Sequence, residues 1–141
     1  MKYAASLLLL CVTSLGACSS PPIEPVVPEV PMFGFTNTGL KYELNLTDSS
    51  VKSCIQLIAA ASKLSGDRPI AQFKLFNTDS LGEKSIIATW QWVDSNGMDL
   101  DLGTLSSRPT THSIDSQGYL TLTSPAPSTD AVSVSLRLRS N

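Results

Sequence analysis

Three thiols, one imidazole, a cluster of carboxylates and two indoles are the side chains of this 141-residue chain that could do chemistry. The only histidine is His112. That excludes a histidine-rich metal site within one chain, because zinc is held by several imidazole or thiolate ligands at once. A Ser-His-Asp relay needs a serine presented to a base, and no Gly-x-Ser-x-Gly elbow occurs. Thr110-Thr111-His112-Ser113 reads as a loop or an edge. Asp94, Asn96, Asp99 and Asp101 crowd around one turn and suggest calcium. Their spacing misses the EF-hand loop, because Gly97 and Asp99 fall in the wrong slots. Solvated charges on a strand face account for Asp99 and Asp101. There is no glycine-rich phosphate loop and no paired-cysteine knuckle. The sequence therefore predicts no catalytic residue, no metal site and no cofactor.

Trp90 and Trp92 stand two apart, so a regular strand puts both on one face. Core packing is the plainer reading, since aromatics supply large buried area. The functional reading is an exposed platform for a sugar or a partner. Charge argues against one class of partner. The formal net charge is −2, and losing Lys2 with a leader leaves nine basic against twelve acidic residues, or −3. Without a basic stripe, nucleic acid is excluded as the partner, because neutralising phosphates dominates that affinity.

The three cysteines have different fates. Cys11 lies in an apolar run from Ala4 to Ala17 with Leu7 to Leu10 at its centre. Fourteen residues at 1.5 Å each reach about 21 Å, short of the roughly 30 Å hydrocarbon core. With Lys2 in front, the run reads as a signal peptide over residues 1–17. Leu15, Gly16 and Ala17 then precede Cys18 in the pattern of a bacterial lipobox. Small residues suit the peptidase groove, and the Cys18 thiol is the nucleophile that takes the diacylglyceryl group. Each buried methylene contributes about 0.8 kcal/mol, and stable anchoring takes more than one chain. Two or three chains on Cys18 would hold the protein to its membrane. Ser19, rather than Asp, follows the cysteine and favours the outer membrane in a Gram-negative cell. Cys54 alone is left in the body, so no internal disulfide can form. Beside Ile55 and with no histidine nearby, it reads as a small buried hydrophobe.

Ser19 to Pro31 holds five of the nine prolines. Such a run forms neither helix nor sheet interior. Residues 18–38 thus read as the lipidated cysteine and a proline-rich tether, and residues 39–141 as the folded domain. In polyproline II the run is a semi-rigid spacer of up to roughly 40 Å.

The body alternates with period two. Leu40, Tyr42, Leu44 and Leu46 face one way against Lys41, Glu43 and Asn45. Ala71, Phe73 and Leu75 repeat the pattern, as do Ile86, Ala88, Trp90 and Trp92. Asp94-Ser95-Asn96-Gly97 signals a tight hairpin with two residues at positive φ, returning through Met98, Leu100 and Leu102. Tyr119 to Thr123 and Val132 to Leu138 complete the set. Val51 to Leu64 suits either a helix capped by Asp48 or Ser50 or a strand turning at Ser65-Gly66-Asp67; a strand is preferred. Short strands separated by turn signals predict an all-β antiparallel sandwich of about seven strands, with room for one short helix around residues 50–64.

Several of these segments carry a family resemblance. Leu75-Phe76-Asn77, Trp90-Gln91-Trp92-Val93-Asp94-Ser95-Asn96-Gly97, Leu122-Thr123-Ser124-Pro125-Ala126-Pro127 with Ala131, and Leu136-Arg137-Leu138-Arg139 resemble the YcfL-like family of small Gram-negative envelope lipoproteins. The likeness spans Ile70 to Arg139, plus the lipobox. Ala88-Thr89 and Val93 depart from it where Tyr-Arg and an aromatic are common. The resemblance implies an immunoglobulin-like sandwich and a lipid anchor, and carries no catalytic residues. The expected role is a lipid-anchored, non-catalytic binding or scaffolding domain on the periplasmic face of the outer membrane, with another envelope protein as partner. The alternatives are a sandwich lipoprotein of a type VI-like secretion assembly, or a small-ligand-binding lipoprotein.

Overall fold

The computed structural model describes residues 30–100 and 108–141. The lipobox Leu15 to Cys18, the tether before Val30 and the Asp101-Leu102 end of the expected return strand lie outside the described residues. Eight strands and one helical turn follow in order: β1 Phe33–Phe35, β2 Lys41–Leu46, α1 Ser49–Lys52, β3 Ile55–Ser65, β4 Arg68–Asn77, β5 Lys84–Asp94, β6 Thr110–Ile114, β7 Tyr119–Pro125 and β8 Ala131–Ser140. They build a five-stranded sheet, β1-β2-β8-β5-β6, over a three-stranded sheet, β3-β4-β7. The all-β sandwich expected from the alternation is the fold.

The alternating faces explain the core. Leu44, Leu136, Leu138, Ile86 and Trp92 of the large sheet meet Leu57, Phe73, Leu75 and Leu122 of the small one, all buried. Outward positions such as Lys41, Glu43, Arg137 and Arg139 are exposed. The layout β3-β4-β7 facing β6-β5-β8 matches the A-B-E and C′-C-F strands of an immunoglobulin sandwich. The place of strand G, beside β8, is taken by β2. It precedes the others in the chain and pairs with β8 in parallel, from Lys41 opposite Ser133 to Leu46 opposite Leu138. The large sheet is therefore mixed, with every other pairing antiparallel.

One segment differs from the sequence reading, and one that the sequence left open is settled. Phe33–Phe35, assigned there to the tether, forms an edge strand on β2, with Gly34 opposite Tyr42. Just before it, the Val30 amide donates to the Leu57 carbonyl. The ambiguous stretch after Leu46 is helix and then strand. One turn, α1, is followed by the long β3, which pairs with β4 around Gly66 at φ +62°. Cys54 between them is buried, and its thiol donates to the Ser50 carbonyl at 2.8 Å.

Asp48 joins α1 to the end of the chain. One carboxylate oxygen caps α1 by accepting from the Val51 amide at 2.9 Å. The other accepts from the Ser140 amide at 2.7 Å and the Ser140 hydroxyl at 3.0 Å. The Ser140 amide, and then the Val51 amide, hold the Asp48 carboxyl below its ordinary value. A depressed folded-state pKa stabilises the fold above the unfolded value, and that contribution is lost as pH falls through the folded one. We expect a fall in melting temperature below about pH 4 that is shallower in Asp48→Asn, measured by circular dichroism across pH.

Candidate functional site

The hairpin around which the carboxylates cluster is closed by its own side chain. Asp94 accepts from the Asn96 and Met98 amides at 2.8 Å each, and its amide donates to the Met98 carbonyl at 3.0 Å. Those amides hold its carboxyl below the ordinary range, the Met98 bond most of all. Only Gly97 is left-handed, at φ +79°; Asn96 is not. The turn is therefore a three-residue loop with a left-handed glycine, not the two-residue Asn-Gly turn expected. Among the described residues the return pairs with β5 through a bridge, Asp99 opposite Val93, and a bond from the Leu100 amide to the Trp92 carbonyl at 2.8 Å. The Asp99 carboxylate accepts from Gln91 at 3.1 Å. Among the described residues, no three His, Cys, Asp or Glu side chains gather as a metal would require.

Both tryptophans face inward, so neither is an exposed platform. Trp92 is fully buried, and its Nε1–H donates to the buried Ser124 hydroxyl at 3.2 Å across the two sheets. Trp90 is 7% exposed and sets its ring edge-on to Phe73, centroids 5.5 Å apart. It is nevertheless Trp90, one pleat further from the turn, that meets an opening.

The sandwich is closed unequally on its two sides. Along β1, β2 and β3 the sheets are tied together. The hydroxyls of Thr36 and Ser62 hydrogen-bond, and the Ser62 amide donates to the Asn37 side chain at 2.9 Å. On the other side, β6 and β7 are the edge strands of their respective sheets. Pairing between β5 and β6 ends at Ala88 opposite Thr110, and the Met98–Leu100 return touches β5 only from Trp92 onward. The stretch of β5 around Trp90 between them faces an open groove of about 440 Å³. Trp90 lies in its floor. Arg108, Thr110 and His112 form one wall; Thr121 to Pro125 form the other. The Thr110 hydroxyl and His112 Nε2 hydrogen-bond at 2.8 Å.

So the structure brings together Trp90 and His112, which the sequence treated separately, and adds Arg108, which it passed over. No local signal marks Arg108. It comes to the groove only because β6 folds back along β5. A second hollow, about 540 Å³, lies where Val30 to Met32 cross α1 and β3, with Cys54 in its lining.

No helix among the described residues is long and apolar enough to cross a membrane. No family model matches the chain. No curated relative matches it. Two solved structures are similar in fold. Campylobacter jejuni cj0090 superimposes with a TM-score of 0.57 at 19% identity, covering 70% of this chain and 97% of that one. A DUF1425 family member from Shewanella sp. PV-4 superimposes with a TM-score of 0.55 at 15% identity, covering 77% and 95%. The chain thus shares its sandwich with small bacterial proteins, one of them of the DUF1425 family.

Proposed function

We propose that this chain is a lipid-anchored, non-catalytic binding or scaffolding domain of the bacterial envelope, of the YcfL-like kind, held on the periplasmic face of the outer membrane. The observation that carries the reading is Leu15-Gly16-Ala17-Cys18 closing a fourteen-residue apolar run directly before a proline-rich spacer. Acyl chains on Cys18 act as the anchor. The spacer holds the sandwich off the bilayer, where its surface meets another envelope protein. The open side between β6 and β7 supports binding as the activity. The consumption of Asp94 in its own turn and the single histidine support the absence of catalysis.

The test is labelling with radioactive palmitate in a Gram-negative host, followed by membrane fractionation. The full chain is expected to take up label and sediment with outer membranes. Cys18→Ala is expected to take up none and to leave the outer-membrane fraction. A parent chain that stays unlabelled overturns the anchor.

A further inference from the structure

The geometry points to the groove between β6 and β7 as the docking site for an extended acidic peptide segment of a partner protein. The inference rests on reading the domain as a binding module, and is independent of the anchor.

Three observations carry it. The first is an unmet donor. Trp90 is nine-tenths buried, yet its indole N–H meets no acceptor among the described residues. No enclosed side-chain nitrogen or oxygen among them lacks a partner, so this N–H reaches solvent. Trp90 lines the groove, which gives the N–H its way out. A donor held in a packed floor is already oriented, and binding an acceptor there orders no loose side chain. The contrast with Trp92 is informative. Its indole N–H, two residues on, is used within the core.

The second is charge. Among the described residues of the lining, Arg108 is the only formally charged one. A guanidinium matches a carboxylate with two parallel hydrogen bonds. The chain as a whole is acidic, so a cationic groove is a local exception.

The third is shape. Among the described residues the groove is walled by two edge strands, β6 paired to β5 and β7 paired to β4. Small molecules are usually engulfed in concave pockets. An extended peptide instead adds to an exposed strand edge, with main-chain bonds giving affinity and side-chain contacts giving specificity. Here the specificity contacts would be Arg108 and the Trp90 N–H, both directed at an acidic side chain.

The experiment is a titration of the full-length chain in detergent micelles, followed by ¹H–¹⁵N NMR. The probe is the peptide acetyl-Val-Glu-Val-Glu-Val-amide. Its comparators are the same peptide with Gln for Glu, and sodium acetate at equal carboxylate concentration. We expect the Trp90 indole cross-peak and the backbone amides of β6 and β7 to shift together and saturate with the Glu peptide. The Gln peptide should bind about tenfold more weakly, as should Arg108→Glu, since each removes the charge-assisted pair. Arg137→Glu makes the same charge change on the opposite face of the sheet and should leave the titration unaltered. Trp90→Phe keeps a ring against Phe73 and should weaken binding without moving the β4 or β8 amides.

The proposal is overturned if the Glu peptide shifts nothing in the groove. It is overturned equally if acetate alone reproduces the pattern, which would make it a carboxylate site without strand addition. Groove shifts that grow with protein concentration in the absence of peptide would seat a second copy there and also overturn it. None of these outcomes bears on palmitate uptake, so the anchor and the groove fail separately.

Discussion

Trp92→Ala is expected to unfold the domain. Removing a fully buried indole costs about 3–5 kcal/mol, the lost transfer energy plus the cavity left behind. The whole stability of a domain this size is about 5–15 kcal/mol. Trp92 packs between the sheets, opposite Val134 of β8. It also spans them, since its Nε1–H reaches Ser124 on β7. The cavity would open at a point where both sheets depend on one side chain. Trp92→Phe separates the two contributions. It keeps most of the packing, removes the donor and leaves the Ser124 hydroxyl short of a partner, for a loss of about 1–3 kcal/mol. Urea denaturation followed by circular dichroism checks both. Wild-type stability in Trp92→Ala would mean the indole is not core.

The second large effect is expected at Asn77, at the end of β4. This side chain is fully buried and joins two of the three connections that cross from sheet to sheet at that end. Its amide nitrogen shares two hydrogens among the carbonyls of Gly82 at 3.0 Å, Ile114 at 3.2 Å and Asp115 at 3.1 Å. Its oxygen accepts from the Asp79 amide at 3.0 Å. The 78–83 loop into β5 and the 115–118 loop into β7 are thus held to one amide. Around it, Gln117 donates from its amide to the Asp79 carbonyl at 3.2 Å and from its side chain to the Thr78 carbonyl at 2.7 Å. Asn77→Ala strands these buried groups at about 1–3 kcal/mol for each left unpaired, so a loss of roughly 3 kcal/mol or more is expected. Asn77→Asp is the sharper variant. It has the same shape, but it sets a carboxylate against three carbonyl oxygens. We expect it to be at least as destabilised as Asn77→Ala above pH 6, with part of the loss recovered on acidification as the carboxyl becomes a donor. An Asn77→Asp protein as stable as wild type at neutral pH would show that the amide does not tie the two loops.

These two residues illustrate unequal legibility. Trp92 was readable, because a strand of period two must put Trp90, Trp92, Ile86 and Ala88 on one face, and an apolar face seeks the core. Asn77 carries no signal in the sequence beyond its place in the Leu75-Phe76-Asn77 segment of the family resemblance. Its weight comes from two loops, over thirty residues apart in the chain, that meet at one point, and no local pattern encodes that meeting. The turn after Asp94 lies between these cases. Asp-Ser-Asn-Gly marks a hairpin, but the Asp94 carboxylate takes the Asn96 and Met98 amides and selects a three-residue loop with one left-handed position. Phe33–Phe35 was missed because three residues with a central glycine show no alternation. They become a strand only because β2 offers an edge.

By itself the sequence determined the all-β character, the inward faces of the long strands, the turn at Gly66 and the assignment of Cys54 to the interior. These follow from the pleat, a property of neighbouring residues along one strand. It is also the sole source of the lipobox reading at Cys18. Tertiary structure alone decided that β2 lies parallel beside β8, that one side of the sandwich is tied while the other gapes between β6 and β7, and that Arg108, His112 and the free N–H of Trp90 share one groove. Those depend on which edges pair across long stretches of chain. That choice is made by burying the apolar faces of both sheets at once, and no run of neighbouring residues specifies it.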